Sequence, residues 1–412
     1  MRTGIITACL FLLAAGCTGI DRHDTIQPVK LGEASYFPTV EALTNSPVIG
    51  GNRVDVLLNG EQIFPAILAT IRSARRSVTY LQYYMEESAI GAEIVEAVSE
   101  RCRAGVAGHV LLDGVGALYT PGEYLDRLRA AGCEVRWYRP VRPLDVRRLN
   151  NRNHRRILVA DGERAVTGGS GVSERWMGDG HTEGRWRDTD VRVEGPVVRQ
   201  LQAAFAESWR ETTGVVLTGP EYFPPLPARG AVTAQVIRSS PANGSSEAYM
   251  LFLLAVESAR RAIYVTNPYF LPDETMTQAL LRARRRGVRV VALVPGLIDH
   301  NLVRHASRAD FGRLLLAGIE IYEYRAALLH AKTMVVDSLW ATVGSTNLDN
   351  RSFALNAELN LTVHDAGVAE QLARTFFEDI RRSERITYDA WKARGIAARA
   401  LELISEPIRN LL

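Results

Sequence analysis

Residues 54–58 form a short apolar run broken only by Asp55, which predicts a strand. Over 61–74 the apolar residues recur every three to four positions, as a helix facing a core requires. Residues 78–84 are rich in β-branched and aromatic side chains and read as a second strand. A helix over 89–103, a strand over 110–113, a helix over 123–130 and a strand over 134–138 continue the alternation. The order then begins again. Ser73-Ala74-Arg75-Arg76 returns as Ser258-Ala259-Arg260-Arg261, and Ala131-Gly132 as Ala317-Gly318. Tyr138-Arg139 returns as Tyr324-Arg325, Gly114 as Gly296, and the helical set Leu201, Phe205, Glu207 as Leu372, Phe376, Glu378. Chance likeness between two α/β segments explains one such match, not a series in order, so the chain carries an internal duplication.

Strands alternating with helices in both copies predict an α/β protein. It is built of two fused α-β-α halves with central mixed sheets, related by a pseudo-twofold axis. The N-terminal half is expected over 53–217 and the C-terminal half over 232–382. Between them, 218–231 holds Pro220, Pro224, Pro225 and Pro227, and neither sheet is expected to run through it. Residues 17–52 show little periodicity and read as a tether standing the domain off a membrane. Over 383–412, Ile396, Ala397, Ala400, Leu401, Ile404, Ile408 and Leu411 recur at helical spacing, interrupted by Pro407. This amphipathic tail suits an interfacial helix or a helix docked on the protein's own core.

Residues 1–16 change the picture of where the chain works. Arg2 precedes an apolar run too short to span a bilayer, in the layout of a signal peptide. Leu13-Ala14-Ala15-Gly16-Cys17 resembles a bacterial lipoprotein cleavage box, with Cys17 the lipidated first residue. A plain cleaved signal or an uncleaved anchor is the alternative. Each puts the domain in the cell envelope, outside the cytoplasm. Beyond Cys17 only Cys102 and Cys133 remain. A disulfide between them and two buried thiols are both open, and nothing in their spacing suggests a metal. Net charge is only +3 over 412 residues, so no global field argues for nucleic acid.

The chemistry lies in a repeated pattern. His330-Ala331-Lys332 opens a predicted strand that turns at Asp337-Ser338, and a second strand leads to Gly344-Ser345-Thr346-Asn347. Two residues apart on a strand, His330 and Lys332 leave one face. The upstream copy is His154-Arg155-Arg156, then Asp161, then Gly168-Gly169-Ser170-Gly171, at the same intervals. Backbone amides of the Gly344-Ser345 and Gly168-Gly169 loops are expected to approach a bound anion. Asn347 adds a side-chain donor. Asp161 and Asp337, at the tight turns, are read as structural. The groups suit a phosphodiester, one imidazole attacking phosphorus while the other protonates the leaving oxygen.

This pattern resembles the phospholipase D superfamily, with its His-x-Lys-x4-Asp-x6-Gly-Ser signature, and within it the bacterial cardiolipin synthases. Supporting stretches are Asn267 to Asp273, Leu302 to Arg308, and Trp186-Arg187-Asp188-Thr189. The resemblance runs from about Val54 to about Arg382. It implies a cleft shared by the halves, a covalent phospho-histidine and no cofactor. His154 is implied as the nucleophile by superfamily habit. Asp188 is implied as the orienting carboxylate of the first half and Glu358 of the second. The first copy departs from the pattern: Arg156 stands for lysine, and Gly169 and Gly171 stand where the second copy has Ser345 and Asn347. The implied reaction joins two phosphatidylglycerols into cardiolipin and glycerol. The implied partners are an anionic phospholipid and a membrane surface, with a monomer as active unit. Water as acceptor, as in a phospholipase D or a nuclease, and a non-enzymatic lipid-binding role are the rivals. The basic run Arg147, Arg148, Arg152, Arg155, Arg156 fits anionic headgroups or a nucleic-acid backbone, with a solvated loop as the alternative.

Overall fold

The computed structural model describes residues 24–141, 151–240, 246–297 and 306–395. The signal segment, Cys17, Arg147, Arg148, His300, His305 and the tail helix over 396–412 lie outside the described residues.

In chain order the elements are α1 (Tyr36–Thr44), β1 (Ile49–Leu58), α2 (Asn59–Ser73), β2 (Ser77–Gln82), α3 (Ala89–Arg103), β3 (Ala107–Asp113), α4 (Gly122–Ala130), β4 (Glu134–Tyr138), β5 (Ile157–Ala160), β6 (Arg164–Gly168), β7 (Trp186–Arg187), β8 (Thr189–Glu194) and α5 (Val198–Thr213). The second half runs β9 (Val232–Ser239), α6 (Glu247–Ser258), β10 (Ala262–Thr266), α7 (Glu274–Arg285), β11 (Arg289–Leu297), α8 (Phe311–Leu316), β12 (Glu320–Leu329), β13 (Thr333–Val336), β14 (Trp340–Gly344), α9 (Asn350–Ala354), β15 (Glu358–His364), α10 (Ala366–Ile380), β16 (Ser383–Ile386) and α11 (Tyr388–Lys392). The predicted α/β duplication stands. Parallel β2, β3 and β4 with antiparallel β5 in one half match parallel β10, β11 and β12 with antiparallel β13 in the other.

Two expectations are corrected. Among the described residues the halves share one continuous sheet, because β9 pairs antiparallel with β1 on one side and β15 on the other. The linker feeds that junction and is itself packed: Tyr222 is buried and its hydroxyl meets His109 Nε2 at 2.7 Å. The described part of the tether is no tether. Tyr36 and Val40 on α1 are buried in the core of the second half, and Ile26, Val29 and Leu31 pack on it. Their apolar character outweighs the Pro and Gly punctuation that suggested a free chain. Of the two states left open for Cys102 and Cys133, the disulfide is the one that forms. Gly108 on β3 leaves room for it, since a Cβ there would overlap Cys102 Sγ.

One apolar core lies under α2, α3 and α4 in the first half, another under α1, α6 and α7 in the second. The opposite sheet face is covered by α5 and α10, whose core draws residues from both halves. The motif aspartates act as clasps, as expected of structural residues. Asp161 accepts from the amides of Arg75, Arg76 and Ser77, and Asp337 from those of Arg260, Arg261 and Ala262. Both sit at positive φ, 56° and 55°, a conformation aspartate tolerates at a tight turn. The repeated Ala-Arg-Arg pairs are therefore the other side of the same clasp.

His364, at the end of β15, faces the rings of Tyr36 and Phe37 at 5.7 and 5.0 Å, and its Nε2 has no hydrogen-bond partner among the described residues. Burial pushes it down to about 4. Below its unfolded value near 6.5, the unfolded chain takes up a proton that the folded chain refuses, so stability falls as pH drops from about 6.5 to 4. His364→Phe removes that penalty. Relative to wild type the variant gains at most about 3 kcal/mol near pH 4. Urea melts of both proteins at pH 4.5 and 7.5 check this; an equal difference at both pH values refutes it.

Candidate active site

His154 and His330 lie where β2 and β10 end, just before β5 and β13. The strand expected to begin at His330 begins instead at Thr333. The reason is a pairing between halves. His330 and Ala331 both donate their amides to Arg187 O, and β7 runs beside the end of β12. In mirror fashion His154 donates its amide to Ala357 O, and Ala357 to Arg152 O.

This pairing decides which carboxylate meets which imidazole, and it reverses the implied assignment. Asp188 follows β7 of the first half and accepts from His330 Nδ1 at 2.7 Å. Glu358 opens β15 of the second half and lies 3.0 Å from His154 Nδ1 through both oxygens. Each dyad therefore spans both halves. Both carboxylates are fully buried, and both imidazoles are 8% exposed. With Nδ1 committed to a carboxylate, each ring keeps Nε2 for chemistry.

Lys332 and Arg156 are buried and play matching parts. Lys332 Nζ lies 3.0 and 3.1 Å from the two ring nitrogens of His330 and bonds His330 O. Arg156 Nη1 donates to His154 O, while its guanidinium lies over Tyr83, 5.1 Å from the ring centre. The arginine thus keeps the charge of the missing lysine and gains an aromatic face. Arg156 Nε and Asn347 Oδ1 are buried without a hydrogen-bond partner among the described residues. Rotating the Asn347 amide presents its NH2 group at the same point, so its expected donor role fits the geometry.

The glycine loops do something other than expected. Gly169 and Ser170 spend their amides on Asp190 Oδ1, at 2.9 and 3.1 Å, and Ser345 spends its amide on Leu359 O. Gly344 N is turned to Lys332 O. Gly168 is a close-approach position, where a Cβ would overlap Asp190; Gly344 is the same against Asn360. The loops therefore buttress the carboxylate strands rather than cradle an anion. Ser345 Oγ donates to Glu358 Oε2.

In the first half that serine is Gly169, and Asp188 is served instead by Trp176 Nε1 at 2.9 Å. A Cβ on Gly169 would stand 2.7 Å from Asp188 Oδ1, and one on Gly171 2.8 Å from the Trp176 ring. Gly169 makes room for the carboxylate and Gly171 for the indole that serves it. Trp176 and Trp186 enclose His330 at 5.3 and 5.2 Å, and Tyr83 meets His154 edge-on at 4.6 Å. The sequence reading missed Trp176 and Tyr83. The signal for Trp176 was present: side-chain volume lost inside a buried motif calls for a bulky neighbour.

The electrostatics of the dyads differ. Although burial opposes it, the charges of His330 and Lys332 and the bonds from His330 and Trp176 hold Asp188 well below the usual carboxylate range. Burial pushes Glu358 up to about 7, against the bond from Ser345 and the charge of Arg156. Burial, with the Lys332 charge, brings His330 down to about 4 despite Asp188. His154 falls well below its ordinary value through burial and the charges of Arg156, Lys332 and His330. Each imidazole thus feels the other half's cation: one site, not two.

Arg187 ties this site to the tail of the second half. Its side chain pairs with Asp379 on α10 at 3.1 Å, both 3% exposed. Asp379→Ala leaves a buried guanidinium without its carboxylate and is expected to cost about 3–5 kcal/mol. Chemical denaturation measures it; a loss under 1 kcal/mol is the contrary result.

Two fused α/β halves that share one histidine-carboxylate site define the phospholipase D class of fold. The family model described as cardiolipin synthase, PLD-like domain matches residues 67–209 and 253–380. The cardiolipin synthase of Geobacillus kaustophilus (strain HTA426) is 36% identical over 369 residues, covering 89% of this chain and 74% of the relative. Cardiolipin synthase A of Pseudomonas syringae pv. syringae (strain B728a) is 35% identical over 370 residues, covering 88% and 76%. The chain belongs to the cardiolipin synthase family of the phospholipase D superfamily, a family of phosphatidyltransferase enzymes. A likeness in fold extends to the phosphatidylserine synthase of Haemophilus influenzae Rd KW20, with TM-score 0.67 and 12% identity, covering 91% of this chain and all of that one.

Proposed function

We propose that this chain moves a phosphatidyl group from one phosphatidylglycerol to the hydroxyl of another, giving cardiolipin and glycerol. The observation that carries the proposal is the pair of non-equivalent dyads. His154, beside a carboxyl near neutrality, attacks phosphorus through Nε2, and the bond from phosphorus to glycerol breaks. His330, beside the firmly ionised Asp188, gives its Nε2 proton to the departing glycerol oxygen. It then takes the proton of the second lipid's hydroxyl, which attacks phosphorus and releases His154. An incoming phosphate offsets the field of Lys332 and Arg156, so substrate binding raises both imidazoles and lets His330 hold its proton. Lys332, Arg156 and Asn347 steady the phosphate oxygens.

Phosphatidylglycerol vesicles with labelled glycerol test the acceptor. Cardiolipin matching the released glycerol is expected; phosphatidic acid with no cardiolipin means water is the acceptor and overturns the reading.

The proposed address is the cell envelope, with Cys17 lipidated at a membrane. The Cys102–Cys133 disulfide supports it, because such bonds persist in oxidising compartments. Labelled fatty acid should enter the wild type and not Cys17→Ser.

A further inference from the structure

Building on the lipid-transfer reading, we infer that the rim formed by Val115, Leu118, Tyr119, Val141 and Leu297 is a docking surface for an anionic phospholipid bilayer, and that it enters the leaflet when the site works.

Eleven large apolar side chains are exposed among the described residues, and these five all lie at the C-terminal ends of parallel strands. Val115, Leu118 and Tyr119 follow the end of β3, Val141 follows β4, and Leu297 ends β11. His154 and His330 lie at the matching ends of β2 and β10, the parallel neighbours of β3 and β11. The remaining six are scattered, on α1, after α5, in the linker, at the end of α8 and in the turn between β13 and β14. Leu297 and Val115 each come one residue after the repeated glycines Gly296 and Gly114, so both halves contribute to the rim.

The β3 loop is built rigidly and joined to the site. Asp113 accepts from the amides of Val115 and Gly116 at 2.9 and 3.0 Å, and from that of Asn153, next to His154, at 2.8 Å. Gly116 lies flat on Tyr83, the ring that meets His154. Ala117 is fully buried, and Thr120 Oγ1 is tied to Met85 O at 2.9 Å. Between these anchors Leu118 and Tyr119 stand 60% and 72% exposed. A fastened loop that presents a leucine and a tyrosine to solvent is not a collapsed surface. Residues 114–122 hold no charged side chain, in a chain that is 23% charged, so the tip enters hydrocarbon at no cost in ion desolvation. Tyrosine suits the headgroup boundary, with its ring in the apolar layer and its hydroxyl in the wet one. Behind the rim stand the cations Arg156 and Lys332, which complement an anionic headgroup drawn out of the leaflet.

The test uses the full chain. Leu118→Asp with Tyr119→Asp alters exposed positions and should leave the melting temperature unchanged. Turnover on phosphatidylglycerol vesicles is expected to fall roughly 10- to 100-fold. Turnover on dihexanoyl-phosphatidylglycerol, monomeric in solution, should stay at wild type. Equal losses on both substrates, or none on vesicles, overturn the inference. Independently, the fluorescence of Leu118→Trp should be quenched by vesicles of chain-brominated phosphatidylglycerol. No quenching overturns the docking surface, as does a rim that instead buries in a dimer by sedimentation. Quenching without any lipid turnover leaves the surface standing and removes the transfer reading.

Discussion

His154→Ala will lower turnover by on the order of 10⁴ or more, and His330→Ala will do nearly the same. The two losses have different chemistry, and an activated substrate separates them. A phosphatidyl ester of p-nitrophenol needs no proton on its leaving oxygen. With it, His330→Ala should recover the first step and release one equivalent of nitrophenol. It should then stall as a phospho-histidine, because no base remains to activate the second alcohol. His154→Ala should show no burst. Peptide mapping of the stalled protein locates the phosphoryl group on His154. A burst from His154→Ala, with the label on His330, reverses the roles. On phosphatidylglycerol, loss of both histidines should cost little more than loss of one, since that reaction needs both.

Asp188→Asn is the second large effect. The Asp188 anion orients His330 through a 2.7 Å bond and stabilises the imidazolium that must form. An amide there removes the charge and favours the wrong tautomer, so a loss of about 10³- to 10⁴-fold in kcat is expected. Glu358→Gln should be milder near pH 6, because burial already pushes Glu358 up to about 7. Phosphorylated His154 is a cation that needs an anionic Glu358, so wild-type turnover should rise as pH increases through about 7. In Glu358→Gln that limb should vanish. A pH profile of kcat for the three proteins decides it: the same limb in wild type and Glu358→Gln removes Glu358 as its source.

Much of this was legible in the chain. The duplication and the α/β class follow from apolar spacing and repeated pairs. Asp161 and Asp337 could be read as structural because a tight turn wants a short polar side chain, and the clasp to Arg75-Arg76 and Arg260-Arg261 gives the reason. The dyads were legible only in part. Asp188 and Glu358 stood out, but their exchange between halves depends on β7 lying beside β12 and on Ala357 pairing with Asn153. Neither pairing leaves a mark in local sequence. The glycine loops misled because glycine has two uses, near a ligand and near a neighbouring strand; Asn360 and Asp190 show that the second applies. The continuous sheet was hidden for a similar reason, since a proline-rich linker stops no strand that begins just after it.

Because His154 and His330 are each answered by a carboxylate from the opposite repeat, neither repeat is a working unit by itself. Made as a separate chain, either repeat would need a second molecule to complete one reaction centre, so its turnover would depend on concentration; the joined repeats carry no such dependence. The two repeats are also free to differ, one setting serine and asparagine beside its glycine, the other leaving room there for a carboxylate and an indole.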